Sequence, residues 1–129
     1  MEPNEYLHAL DTEFQSLITK FEEVMSLWKD YTHSNILERS HIKEKLSTKF
    51  KRFKSNLKNR LEYIQTKGDS LEKKVLLAVL QEVWIMLKDL SLKRLNLNNT
   101  VLINYRFNST VYILKSGYHQ LTQYSLIED

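Results

Sequence analysis

Apolar residues recur at alternating steps of three and four positions through the first quarter of the chain. They are Leu7, Leu10, Phe14, Leu17, Phe21, Val24, Trp28 and Tyr31. A strand would show a period of two, whereas these steps form heptads and place the residues on one face of a helix. The pattern predicts a helix over about residues 4–31 with a single apolar stripe.

A second stripe with the same steps follows a short polar linker, residues 32–35. It predicts a helix over about residues 36–66. Asn35 with Glu38 three positions later resembles a capping box at its start. Two amphipathic helices joined by so short a linker are typical of an antiparallel hairpin. The second stripe consists of Ile42, Leu46, Phe50, Phe53, Leu57, Leu61 and Ile64.

The third segment, about residues 70–95, is apolar on every side of a helix between Val75 and Leu90. Its charged residues Glu82, Lys88 and Asp89 argue against a membrane span, because each would cost a few kcal/mol in a bilayer. A helix that is apolar all round is expected to be buried all round. The hairpin cannot cover all of it, so further cover from the last segment or from a second chain is predicted.

The last segment, about residues 100–127, permits two interpretations. The runs 101–103 and 111–114 are rich in β-branched and aromatic residues, and Asn108-Ser109 could turn a hairpin between them. Alternatively the segment is one helix, bent near Gly117. A lone hairpin is marginally stable, so the helix is favoured. Its apolar face would hold Ile103, Phe107, Val111, Leu114, Tyr118 and Leu121.

The scarcity of chain breakers sets the fold class. The 129 residues include 2 glycines and 1 proline, too few for an all-β fold with its frequent turns. The length suits one domain, residues 1–129. We therefore predict an all-α fold: an antiparallel helical hairpin plus a buried third helix and a C-terminal segment, forming a three- or four-helix bundle with coiled-coil character.

The composition also excludes several kinds of active site. The chain has no cysteine and no Gly-rich phosphate loop or Gly-x-Ser-x-Gly motif. Two Glu-x-x-His motifs, Glu5–His8 and Glu38–His41, have di-iron spacing, but the predicted hairpin separates their histidines by about 27 Å at 1.5 Å per residue. We expect no enzyme, and we assign no catalytic, cofactor-binding or metal-ligating residue.

The beginning of the chain carries no secretory signal, because it is acidic and lacks an apolar stretch. This absence predicts an intracellular protein of the cytoplasm or nucleus.

Charge is distributed unevenly along the chain. Residues 1–30 hold seven acids and two lysines, whereas residues 38–60 hold nine bases and two acids. At about 100° per residue, these bases fall on both flanks of the apolar stripe. One interpretation pairs them with the acids of the first helix. The other leaves the basic face of residues 43–60 free for nucleic acid, with candidate contacts Lys49, Lys51, Arg52, Lys54 and Lys58.

The sequence as a whole predicts a non-catalytic structural or adaptor subunit of a multi-protein assembly. Its partners would be other helical proteins bound through heptad faces, and a homo-oligomer is one form of this prediction. Tryptophan and tyrosine suit such contacts because they combine apolar area with a polar group. The candidate contact residues, each of which could instead belong to the core, are Leu80, Trp84, Leu87, Tyr105 and Tyr112.

Overall fold

The computed structural model describes residues 3–65, 71–92 and 99–127, and the side chains of residues 12–64, 74–92 and 99–123. Over these residues the chain forms four helices and no strand: α1 (Pro3–His33), α2 (Ile36–Gln65), α3 (Leu71–Leu87) and α4 (Thr100–Ile127). The predicted all-α fold is confirmed.

Each helix packs mainly against two neighbours, and α1 and α3 also touch across the bundle, so the four form a closed bundle. α1 and α3 each contact both α2 and α4. The predicted α1–α2 hairpin is present, and Ser34 and Asn35 connect the two helices. The Asn35 side chain accepts a hydrogen bond from the Glu38 backbone N–H at 2.9 Å, which caps α2 at the predicted position.

Both heptad stripes face the core of this bundle. The residues of α1 from Phe14 to Trp28 and those of α2 from Leu46 to Ile64 that belong to the stripes are buried. α4 contributes the aromatic ring at the centre of the core, which belongs to Phe107. Phe107 contacts Phe50, Phe21 and Trp28 edge-on, with ring centroids 5.3, 5.5 and 5.6 Å away. The apolar steps read from the sequence therefore mark the core-facing sides of α1 and α2.

The predicted end of the third helix is wrong. α3 stops at Leu87, followed by a turn at Lys88 and Asp89. Leu90 and Leu92 are nevertheless buried, and they prolong the apolar pattern beyond the helix. The predicted residues 93–95 lie outside the described part of the chain.

The third helix is also not buried on every side, contrary to expectation. Ala78 is exposed and Ile85 is 59% exposed. A helix of a four-helix ring contacts two neighbours and keeps an outer face, whatever residues that face carries. α4 supplies cover on one side of α3, and the outer face remains open.

The last segment is one helix, so the hairpin interpretation is wrong. α4 runs unbroken from Thr100 to Ile127. Its buried residues include Ile103, Phe107, Leu114 and Leu121, which are four of the six on the predicted apolar face. No helix among the described residues is long and apolar enough to cross a membrane.

Candidate protein-binding surface on helix α4

The outward face of α4 carries large apolar side chains. Val101 is 78% exposed, Tyr105 63% and Tyr112 73%, and Asn108 between the tyrosines is exposed as well. At about 100° per residue these four lie within a sector of about 60°, opposite the buried face of the helix. We call Val101, Tyr105, Asn108 and Tyr112 the α4 seam.

The α4 seam is uncharged. α4 contains no acidic residue, and its two bases point to neighbouring helices. Arg106 Nη1 donates to the Met86 carbonyl at 3.0 Å and to Asp89 Oδ1 at 2.8 Å. Lys115 Nζ lies 3.8 Å from a Glu22 carboxylate oxygen. The charges therefore lie beside the seam, and its own side chains are apolar or neutral.

α3 runs along one side of the α4 seam. Gly117 packs against Val79 and Arg106 binds Met86, so the two helices run antiparallel. In this antiparallel arrangement, the position of Ile85 along the axis of the bundle lies between those of Tyr105 and Tyr112. Further along, a shallow groove of about 330 Å³ separates the helices. Its lining includes Glu82, Tyr112 and Ser116, together with Lys74, Val75, Ala78, Val79, Ile113, Gly117 and Gln120.

The predicted protein contacts divide into two groups. Leu80 and Leu87 are fully buried in the bundle's own core, and Trp84 is half-buried against it. These three side chains contribute to folding within one chain. Tyr105 and Tyr112 are the predicted contacts that present most of their surface to a partner.

The predicted nucleic-acid contacts divide in the same way. Lys49 Nζ pairs with Glu23 of α1 at 3.2 Å, and Lys54 Nζ donates to the Leu90 carbonyl at 2.7 Å. Burial lowers the pKa of Lys54, although the nearby Asp89 carboxylate opposes this shift. Lys51, Arg52 and Lys58 are exposed and make no ion pair within 4.0 Å with another described residue.

One flank of the basic helix pairs with α1, as the first interpretation of the charge pattern predicted. Besides the Lys49–Glu23 pair, Arg60 makes a bidentate contact in which Nε donates to Glu13 Oε1 and Nη2 to Glu13 Oε2, the latter at 2.7 Å. Both pairs join α2 to α1. They confirm that interpretation for Lys49 and Arg60, whereas Lys51, Arg52 and Lys58 pair with no acidic residue among those whose side chains are described.

Sequence reasoning missed several exposed apolar residues. Val101 belongs to the α4 seam, Ile85 lies on the exposed side of α3, and Ile36 and Leu37 are 84% and 91% exposed at the start of α2. The signal for Val101 was present, because it stands four residues before Tyr105 and eleven before Tyr112, which is heptad spacing. Ile36 and Leu37 precede the α2 stripe, and the sequence gives no pattern for them.

The described residues hold no group of three or more histidine, aspartate or glutamate side chains that could bind a metal. Glu38 and His41 are exposed, and the side chains of Glu5 and His8 lie outside the described part. Comparison with protein-family models, with curated proteins and with solved structures finds no match to this chain.

Proposed function

We propose that this protein is a non-catalytic helical adaptor whose α4 seam binds a helix of another polypeptide. One observation carries the proposal: Val101, Tyr105 and Tyr112 are each more than 60% exposed and lie in line on one uncharged helix face. Steps of four, three and four residues are the spacing with which a helix presents knobs to a second helix.

The other heptad faces are already occupied. The stripes of α1 and α2 pack into the bundle's own core, so they support folding. α4 has its own buried face, and the seam lies on its opposite side. Interfaces between proteins are enriched in exposed aromatic residues, which bury large area and keep a polar group for hydrogen bonding.

Capture from a cell extract with matched variants tests this proposal. The wild-type chain is immobilised beside a seam variant, Tyr105→Glu with Tyr112→Glu. A control variant, Ile36→Glu with Leu37→Glu, changes two apolar residues that are even more exposed and lie at the start of α2. All four substituted positions are on the surface, so circular dichroism is expected to show the same helicity for the three chains.

The expected result is a polypeptide, either another protein or a further copy of this chain, that is retained by the wild type and the control and lost from the seam variant, since charge on the seam opposes burial. Retention that survives the seam substitutions, or that is lost only in the control, would contradict the proposal. Loss of helicity in the seam variant would show that Tyr105 and Tyr112 belong to the core.

A second candidate function is binding of nucleic acid by the outer face of α2, which we define as Lys45, Lys51, Arg52 and Lys58. All four are exposed, and none forms an ion pair within 4.0 Å with a described residue. Lys45 and Arg52 lie on one flank of the helix, and Lys51 and Lys58 lie on the other. The two bases of each pair are seven residues apart, which is about 10 Å along the helix. Exposed bases that pair with no described residue favour phosphate contacts.

The salt dependence of binding tests this second candidate. If all four bases contact phosphates, the logarithm of the binding constant for duplex DNA falls by roughly three to four per decade of salt. The variant Lys51→Glu with Arg52→Glu and Lys58→Glu is expected to abolish binding. Absence of binding to duplex and single-stranded DNA at low salt would dismiss this function.

A further inference from the structure

We infer that the helix bound by the α4 seam is the α4 of a second copy of this chain, in an antiparallel pair with its two-fold axis between Tyr105 and Asn108. This inference rests on the proposed function, because it names the partner of the same surface.

The spacing of the seam reads the same in both directions. From Val101 to Tyr112 the steps are four, three and four. A two-fold interface is self-complementary, so each residue must meet its counterpart in the reversed order. In this register Val101 lies opposite the partner's Tyr112, and Tyr105 opposite the partner's Asn108. The spacing thus fits an antiparallel copy without any shift.

The residues that meet in this register are chemically matched. Val101 against the partner's Tyr112 is an aliphatic–aromatic contact that buries apolar area. Tyr105 against the partner's Asn108 brings a hydroxyl to an amide, and one buried asparagine in a helical seam is a known determinant of register. Beyond Tyr112 the same face continues with Ser116, His119 and Gln123, so the apolar part ends there.

Charges next to the seam favour a self-pair over a different partner. Helices that choose a foreign partner usually carry charged residues on both flanks of the seam. Between Thr100 and Leu114, α4 carries one charge, Arg106, which is bound to Asp89 and to the Met86 carbonyl. This stretch has no other charged residue that would repel a second copy or that would select a different partner by its charge.

The exposed carboxylate of Glu82 distinguishes the antiparallel pair from a parallel one. Glu82 lines the same groove as Tyr112 and makes no ion pair within 4.0 Å with another described residue. In the antiparallel register Tyr112 meets the partner's Val101, which brings Glu82 toward the first turn of the partner's α4. A helix N-terminus attracts a carboxylate, and opposed helix dipoles attract each other. A parallel pair would have neither contact.

Sedimentation equilibrium from about 1 to about 500 µM tests the self-association. The seam spans only three helical turns, and stable protein–protein interfaces bury about 800 Å² per partner. We therefore expect a smaller interface with micromolar affinity, which this concentration range covers. The wild type is expected to shift from monomer to dimer, whereas Tyr105→Glu is expected to weaken dimerisation at least tenfold. Leu37→Glu is the control and is expected to behave as the wild type. A chain that stays monomeric, or a dimer unaffected by Tyr105→Glu, would overturn the inference.

Cysteine cross-linking tests whether the two α4 helices pair antiparallel. The chain has no cysteine of its own, so only the introduced cysteines can form a disulfide. In the antiparallel pair, Val101→Cys of one copy faces Tyr112→Cys of the other. Each position is about 16 Å along the axis from its own counterpart, too far for a disulfide. Mild oxidation of the two mixed single variants is expected to give a covalent dimer, while neither alone gives one. Cross-linking of each variant with itself would mean a parallel pair and would overturn the inference.

Failure of this inference is distinguishable from failure of the proposed function. A monomeric chain whose seam still retains another protein from an extract would disprove the self-pair and support the adaptor. A chain that neither self-associates nor retains a protein through its seam would disprove both.

Discussion

Gly117 of α4 lies against Val79 of α3 so closely that a Cβ atom on Gly117 would overlap Val79 Cγ2. The same atom would lie 3.2 Å from Phe14 Cε1 of α1. The glycine lets the α4 backbone approach α3, and it does so within an unbroken helix. Its function at this position is close packing, and the bend that the sequence suggested near it stays a prediction.

Gly117→Ala is expected to destabilise the bundle by up to about 2 kcal/mol. Alanine favours a helix over glycine by about 1 kcal/mol, but forced overpacking costs about 1–3 kcal/mol. Urea unfolding of the variant, compared with Ser116→Ala as a neighbouring control, measures the difference. Val79→Ala in the same chain should recover part of the loss, since it removes the overlapping methyl groups. An increase in stability for Gly117→Ala alone would show that α3 and α4 are further apart.

The two ion pairs between α1 and α2 are expected to differ in strength. Arg60 holds Glu13 with two hydrogen bonds, and the Glu13 side chain is only 16% exposed. Lys49 and Glu23 share one contact and are about half exposed. Glu13→Gln should therefore cost about 1 kcal/mol, and Glu23→Gln no more than about 0.5 kcal/mol.

Urea unfolding at low and high salt checks this comparison. Salt screens exposed pairs more strongly, so any effect of Glu23→Gln is expected to vanish first. Equal losses for the two variants would contradict the structural difference between the pairs.

The end of α3 is expected to weaken in acid. The hydrogen bond from Arg106 holds the pKa of Asp89 below its ordinary value. A carboxyl whose pKa is lowered by folding contributes its full stabilisation above the ordinary carboxyl pKa of about 4, and it loses this stabilisation as the pH falls through the lowered value. Asp89→Asn removes the titrating group and with it this dependence.

The free energy of unfolding, measured at pH 7 and near pH 2, checks the direction of this pH dependence. The wild type should exceed Asp89→Asn in stability at pH 7, and the difference should shrink toward zero in acid. A difference that stays constant with pH would show that Arg106 does not act through the charge of Asp89.

Much of the fold could be predicted from local patterns. The steps of three and four from Phe14 to Trp28 and from Leu46 to Ile64 identified the core-facing sides of α1 and α2, because helical periodicity is a property of the chain itself. The Asn35 cap was readable for the same reason. The end of α3 was not, since Arg106 and Lys54 bind the carbonyls of Met86 and Leu90 from distant parts of the chain.

The candidate binding surface was harder to predict. α3 is apolar on all sides, so periodicity could not tell its buried Leu80 from its exposed Ile85. The tyrosines of α4 could be identified as amphipathic, but their exposure depends on which face of α4 the bundle covers. That choice is made by Phe107, which packs among the rings of three other residues. Tertiary packing therefore decided which predicted contacts reach the surface.

Amide chemical-shift mapping by NMR tests whether the α4 seam associates with itself, and a chain of 15.4 kDa suits it. Spectra of the labelled protein are recorded over a dilution series. We expect concentration-dependent shifts at Val101, Tyr105, Asn108 and Tyr112, with the outer face of α2 unchanged. Shifts confined to the outer face of α2 or to Ile36 and Leu37, or no shifts at any concentration, would contradict the assignment of the α4 seam as a surface for self-association.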